Sequence, residues 1–197
     1  MRGLQSLPDP DSAAITVRQS VVITGVGRDR VGIVAELTGL LFQTGCNLMD
    51  SSMTLLRGEF ALILMAELPE NVDVSQLEAK LAIIKSRLGL HLHVRELTAA
   101  ELETQEAEDG LHIISVYGAD RPGIVSGVTN KLAALGVNIT DVQTQSTGAA
   151  DKPVFVMILE AVAPPSVTTE RLQEELQTCR QDLSVDITVQ ALEVAEL

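Results

Sequence analysis

The spacing of hydrophobic residues changes twice along the chain, both times in the same order. Ile15–Gly25 and Leu111–Tyr117 are rich in β-branched residues, which predicts a strand in each place. Hydrophobic residues at helical spacing follow, and a glycine ends each predicted helix, first Gly45 and then Gly136. The helical positions are Val34, Leu37 and Leu41, with Ile33 and Leu40 beside them, and then Val125, Val128, Leu132 and Leu135.

More strands and a second helix follow in each half. Asn47–Leu56 and Glu59–Leu68 are predicted strands, joined by a tight hairpin at Arg57 and Gly58. In the second half the stretch STGAADKP predicts a longer loop before a strand at Val154–Ala163. Each second helix places its apolar residues at steps of four, three and four, at Leu77, Leu81, Ile84 and Leu88 and at Leu172, Leu176, Cys179 and Leu183. Closing strands are predicted around Leu92 and Val94 and around Val185, Ile187 and Val189.

Each half therefore has the order β-α-β-β-α-β, which predicts an α+β fold with an antiparallel four-stranded sheet and both helices on one face. The halves are also copies of each other. Aligned without a gap, Val21–Asp50 and His112–Asp141 share twelve identical residues in thirty positions, which indicates a tandem duplication. The stretch 99–110 contains five acidic residues and predicts a linker. We expect a disordered tail at 1–14, one domain at 15–98, the acidic linker at 99–110 and a second domain at 111–197.

Charge and composition narrow the possible functions. A net charge of −13 argues against direct contact with nucleic acid, which needs clustered Lys and Arg, so any effect on genes requires a protein partner. No apolar run is long enough for a membrane span, and MRGLQSLPDPDSAA has no apolar signal-peptide core, so we expect a cytoplasmic protein. The two cysteines, Cys46 and Cys179, lack metal-type spacing and are expected to be reduced, partly buried thiols.

The loops between the first strand and first helix of each copy have the composition of an anion-binding turn. Asp29 and Asp120 are expected at or just before the helix start, as N-caps, with Pro122 in the first helical turn. Gly32 and Gly123 allow close approach to the backbone, and free N–H groups at a helix start attract a carboxylate. A simple strand-to-helix turn explains the same residues. Arg30 and Arg121 suit an anionic ligand, a solvated position or a salt bridge.

An asparagine opens the next strand in each copy, Asn47 in the first and Asn138 in the second. Each follows the glycine that ends the helix, so we expect each to lie near the same edge of the sheet as the loop. Asparagine both donates and accepts hydrogen bonds, which suits the amino and carboxyl groups of a small zwitterion. Asparagine after glycine is also typical of a plain turn. Asp50 and Asp141, three residues further on, are expected to be solvated.

The stretches GADRPGIVSGVTNKLAALGVNITD and GRDRVGIVAELTGLLFQTGCNLMD resemble the first halves of ACT domains, small modules that bind amino acids. The resemblance covers both copies and implies a ferredoxin-like βαββαβ fold whose sheets pair side by side, with a small amino acid held at the domain interface. The implied ligand-binding positions are Asp29, Gly32, Asn47, Asp120, Gly123 and Asn138. A tandem pair without an attached enzyme resembles the glycine cleavage system transcriptional repressor group, which implies that the protein senses glycine and acts through a DNA-binding activator. The first copy departs from the pattern in having Val31 where the second has Pro122.

No catalytic pattern emerges from the sequence. His91 and His93 share a strand face, with His112 as a third histidine, yet no cysteine or carboxylate pattern completes a metal site, so exposed strand histidines are expected. Nucleophile, phosphate-loop and dinucleotide motifs are lacking, so we expect no catalytic residue, metal or cofactor. The expected function is an amino-acid-binding regulatory protein, for glycine or serine, that acts on a protein partner and forms a homodimer. Alternatives are a regulatory subunit that gives amino-acid feedback on a metabolic enzyme, and a ligand-free interaction scaffold.

Overall fold

The structure, a computed structural model, describes residues 19–102, 110–149 and 152–192. The chain divides into two compact units between residues 104 and 105, here called domain 1 and domain 2. The predicted tail, the start of the first predicted strand and most of the predicted linker lie outside the described residues, so those boundaries stay predictions. No helix in the described ranges is long and apolar enough to cross a membrane.

Both domains have the predicted order of elements. Domain 1 consists of β1 (Ser20–Arg28), α1 (Ile33–Thr44), β2 (Asn47–Leu56), β3 (Glu59–Glu67), α2 (Val74–Leu88) and β4 (His91–Glu96), and a short helix α3 (Ala99–Leu102) follows. Domain 2 consists of β5 (Leu111–Ala119), α4 (Ile124–Ala134), β6 (Asn138–Ala149), β7 (Lys152–Val162), α5 (Thr169–Leu183) and β8 (Val185–Ala191). The strand orders are β2-β3-β1-β4 and β6-β7-β5-β8, and every pairing is antiparallel. The predicted fold class of two tandem ferredoxin-like domains is confirmed.

The apolar face of the first helix differs by one residue from the prediction. Val34 is 42% exposed and Val125 41% exposed, although the hydrophobic spacing predicts that both are buried. The buried stripe starts one residue earlier and advances in steps of four, which places it on one side of an α-helix. Its members are Ile33, Leu37 and Leu41 in α1 and Ile124, Val128 and Leu132 in α4.

One hairpin follows the prediction and the other does not. Arg57 and Gly58 form a two-residue turn with φ of 50° and 84°, which is the left-handed geometry that suits a twisted hairpin. The longer loop expected from STGAADKP is wrong, because β6 and β7 remain paired as far as Ala149 and Lys152. Gly148 and Pro153 pair with each other inside the ladder, so residues that usually signal a loop lie in strands here.

Candidate functional site

The loops at Asp29–Gly32 and Asp120–Gly123 are attached to their sheets in the same way. The Asp29 N–H donates to the carbonyl oxygen of Gly58 at 2.9 Å, and the Asp120 N–H donates to the carbonyl oxygen of Pro153 at 3.0 Å. Each bond fixes the loop beside the hairpin formed by the next two strands. Val31, which replaces Pro122, is fully exposed in the domain 1 loop.

Glycine, not aspartate, is the N-cap of each first helix. Gly32 has φ of 99° and Gly123 has φ of 97°, and neither helix start receives a hydrogen bond from a capping side chain. The expected N-cap roles of Asp29 and Asp120 are therefore wrong, and Pro122 precedes the cap instead of lying in the first turn. Because a side chain at such a positive φ is strained, the position selects glycine. The first-turn N–H groups thus lack the usual side-chain acceptor. The space beside each glycine is also open, because a Cβ added there would meet no atom within 4 Å.

The two loop arginines differ in their contacts. The Arg30 guanidinium donates to the carbonyl oxygen of Arg87, in the last turn of α2. The Arg87 guanidinium in turn forms an ion pair with Glu36 of α1 at 2.5 Å. For Arg121 of domain 2, the described residues provide no hydrogen-bond or ion-pair partner. Arg30 therefore joins the loop to α2, whose Arg87 side chain in turn pairs with α1, a contact that the sequence did not predict.

Asn47 and Asn138 lie at the opposite end of their sheets from the loops. Asn47 pairs with Glu67, which also pairs with Ser20 at the start of β1. The loop leaves β1 at its other end, after Arg28, which is eight residues or about 26 Å away at about 3.3 Å per strand residue. Asn138 has the equivalent place, because its partner Val162 also pairs with the first residue of β5. The expectation of a shared edge is wrong, since the first helix carries the chain back along the sheet.

The surroundings of the two asparagines differ in polarity. Asn47 lines a cavity of about 360 Å³ together with Glu67 and Glu70. The corresponding positions beside Asn138 are Val162 and Pro165. Both edge strands contain one extra residue just after the asparagine, where pairing shifts between Leu48 and Ser51 and between Ile139 and Asp141. Such bulges often redirect side chains near binding sites.

Asp50 and Asp141 are exposed, as predicted. Asp141 accepts a hydrogen bond from the Gln143 amide at 3.3 Å. Both cysteines are shielded from water, Cys46 partly and Cys179 almost fully, and burial raises the pKa of both thiols. A raised pKa makes a thiol a poorer nucleophile at neutral pH.

The histidines do not form a metal site within the described residues. His91 and His93 are exposed on β4, as expected. His112 is buried, contrary to the expectation, with Nδ1 2.7 Å from the Gly110 carbonyl oxygen and Nε2 2.9 Å from the Thr169 hydroxyl. No group of three His, Cys, Asp or Glu side chains in those residues is arranged to hold a metal ion.

Comparisons with known proteins match both domains. Residues 19–95 and residues 112–177 each match a family model described as an ACT domain. Phosphoserine phosphatase SerB2 of Mycobacterium tuberculosis is 30% identical over 175 residues, covering 87% of this chain and 40% of that protein. The glycine cleavage system transcriptional repressor of Escherichia coli is 22% identical over 178 residues, covering 89% of this chain and 92% of that protein. The crystal structure of an unknown protein from Galdieria sulphuraria is 28% identical with a TM-score of 0.75, covering 89% of this chain and 99% of that one.

Proposed function

Because this chain belongs to the ACT-domain family, with two tandem ACT domains, we propose that it is a regulatory protein that binds a small amino acid and thereby modulates a protein partner. The observation that carries the proposal is the geometry repeated at Gly32 and Gly123. In both domains an uncapped helix start follows a glycine with open space around it. The ligand carboxylate accepts hydrogen bonds from the first-turn N–H groups, where the helix dipole is positive.

The distance between the loop and the asparagine of one domain determines how a small amino acid is held. Glycine and serine are far shorter than the roughly 26 Å between Asn47 and its own domain's loop. In the homodimer that we propose, a single molecule therefore contacts the loop of one copy of the chain and the asparagine of the other copy. In that arrangement Asn47 or Asn138 supplies the amide oxygen for the ligand ammonium group, and Asp29 or Asp120 lies on the loop side. We propose these residues, with Gly32 and Gly123, as the binding set, and a homodimer as the working assembly.

The partner in this proposal is a protein and not a nucleic acid. The net charge of −13 repels a phosphate backbone, so an influence on transcription passes through a DNA-binding regulator. The similarity to the Escherichia coli repressor over 89% of the chain supports a transcriptional role of this indirect kind, with glycine as the first ligand to test.

A second candidate function is amino-acid feedback on a metabolic enzyme. The similarity to SerB2 covers 87% of this chain but 40% of that phosphatase, so the segment similar to this chain is part of a longer enzyme there. In this alternative the chain acts as a regulatory subunit and serine is the first ligand to test. Identification of the cross-linked partner in cells separates the two candidates, since one predicts a transcription factor and the other an enzyme.

Calorimetric titration of the twenty amino acids into the full chain tests the shared claim. We expect saturable binding of a small amino acid, weakened roughly tenfold or more by Asn138→Ala, since a hydrogen bond to a charged group contributes about 1.5–3 kcal/mol. Gln145→Ala, also exposed on β6, is the matched control and is expected to bind normally. No heat from any amino acid with folded protein would refute ligand binding and leave the scaffold alternative.

A further inference from the structure

An open groove runs between the two helices of domain 1. Its volume is about 560 Å³. Small residues on α1 leave the space open, and α2 supplies both an apolar and a cationic wall. Its lining includes Ala35, Gly39 and Leu40 on α1 and Lys80, Ile83 and Arg87 on α2.

Large apolar side chains stand exposed along this groove. Ile83 is 68% exposed, although it lines the groove wall. Phe42 is 83% exposed and lies one helical turn from Gly39, a lining residue, although Phe42 does not itself line the groove. The chain has three phenylalanines, and the other two, Phe60 and Phe155, are buried in the domain cores. Large exposed apolar side chains in and beside a groove are typical of a surface that another protein covers.

The groove is cationic in a protein that is otherwise acidic. Among its described lining residues, Lys80 and Arg87 face a single carboxylate, Glu36, which pairs with Arg87. The whole chain, by contrast, has a net charge of −13. A partner that fits this place therefore combines apolar side chains with negative charge, because complementary charge directs association and excludes other partners.

Domain 2 has the same two helices, but larger or paired side chains stand at the corresponding positions. Lys131 and Glu175 form an ion pair at 2.8 Å, at the positions that correspond to Leu40 and Lys80 in domain 1. Leu183 lies over Gly127, where an added Cβ would be 2.9 Å from it. Gly127 is the counterpart of Glu36. The residues that leave the groove open in domain 1 are therefore not repeated in domain 2.

One end of the groove adjoins the loop that we propose as part of the ligand site. Arg30 lies in that loop and donates to the carbonyl oxygen of Arg87, a groove residue. Arg87 also holds Glu36, on the facing helix. In domain 2 the counterparts of Arg87 and Glu36 are Asp182 and Gly127, so the ion pair that joins the two helices is not available there.

We infer that the α1–α2 groove of domain 1 is a docking site for an acidic amphipathic helix of a partner protein. The apolar side of that helix packs on Ile83 and the nearby Phe42, and its carboxylates pair with Lys80, because Arg87 already pairs with Glu36; the arrangement is that of other helix-in-groove complexes. Docking itself does not depend on the amino-acid ligand. An effect of the bound amino acid on docking, transmitted through Arg30, rests on the proposed function.

The test uses two fluorescent peptides of about 18 residues, which is about five helical turns. Both place leucine at i, i+3, i+4 and i+7, and one has glutamate at the remaining positions while the other has lysine. Fluorescence anisotropy measures their binding to the full chain. We expect the acidic peptide to bind, with an affinity that falls as salt is added, and the basic peptide not to bind.

Substitutions in the groove locate the binding. Ile83→Asp and Lys80→Glu, both exposed positions, are each expected to weaken the acidic peptide at least about tenfold. The matched control is Thr178→Asp, the corresponding position of α5, and it is expected to change nothing. Circular dichroism verifies folding of every variant, and calorimetry with amino acids is expected to give unchanged heats for Ile83→Asp, so failure of docking and failure of ligand binding are distinguished.

Three outcomes would overturn the inference. The first is no binding of the acidic peptide, and the second is equal binding of the acidic and basic peptides. The third is a self-association of the chain, measured by light scattering, that Ile83→Asp abolishes, because a second copy would then occupy the groove.

Discussion

Gly32 and Gly39 in domain 1 differ in backbone conformation but not in available space, so alanine at each position separates the two effects. A Cβ at either glycine would meet no atom within 4 Å. Gly32 has φ of 99°, which an L-residue adopts only with strain, whereas Gly39 lies inside α1. Any difference between the two variants therefore reports on backbone conformation.

We expect opposite effects on the free energy of unfolding of domain 1. Gly32→Ala forces a side chain into left-handed geometry and is expected to destabilise by about 1–2 kcal/mol. Gly39→Ala improves helix propensity and is expected to stabilise by about 0.8–1 kcal/mol. The variants should thus differ by about 2–3 kcal/mol although each gains one methyl group.

Hydrogen exchange of β1 amides measures this stability in domain 1 alone, because β1 is paired on both sides. Urea unfolding followed by circular dichroism provides an independent value. Equal stability of the two variants, or a Gly32→Ala protein more stable than Gly39→Ala, would contradict the assignment of Gly32 as an N-cap whose positive φ excludes a side chain.

Two further predictions concern titratable side chains. Hydrogen bonds from the Thr98 N–H and hydroxyl and from Arg95 lower the pKa of Glu101 from 4.5 to about 2. The ionised carboxylate therefore contributes its full stabilisation above pH 4.5 and loses it as the pH falls towards 2. Carbon-detected NMR titration of the Glu101 carboxyl measures this pKa, and a midpoint near 4.5 would contradict the prediction. His112→Ala removes two buried hydrogen bonds and is expected to destabilise domain 2 by about 1–3 kcal/mol. Urea unfolding followed by fluorescence of Tyr117, the chain's one tyrosine, reports on that domain, and an unchanged midpoint would show that the two bonds contribute no net stability.

The order of elements could be predicted because hydrophobic spacing records which face of each element is buried. Leu77, Leu81, Ile84 and Leu88 are all buried on α2, as their spacing predicts. The turn at Arg57 and Gly58 was equally predictable, since a two-residue connection between strands needs positive φ. These features depend on residues close in sequence.

The candidate site was less predictable, because it depends on the direction in which the first helix carries the chain and on the backbone dihedrals at the helix start. A helix of twelve residues such as α1 is about 18 Å long, so it returns the chain to the other end of the sheet and separates Asn47 from the loop. Asp29 and Gly32 both have N-cap propensity, and only the backbone dihedrals decide between them. The α1–α2 groove depends on side-chain size at facing positions of two helices far apart in sequence, which the spacing within one helix does not report.

The central claim is that a small amino acid binds both the loop N–H groups and an asparagine side chain. The most direct measurement is a titration of the ¹⁵N-labelled full chain with glycine, and then with serine, followed by NMR. We predict that the first-turn amides after Gly32 or Gly123 and the side-chain NH₂ signals of Asn47 or Asn138 shift together with one dissociation constant. Unchanged positions of all these signals with both amino acids would contradict the proposed site.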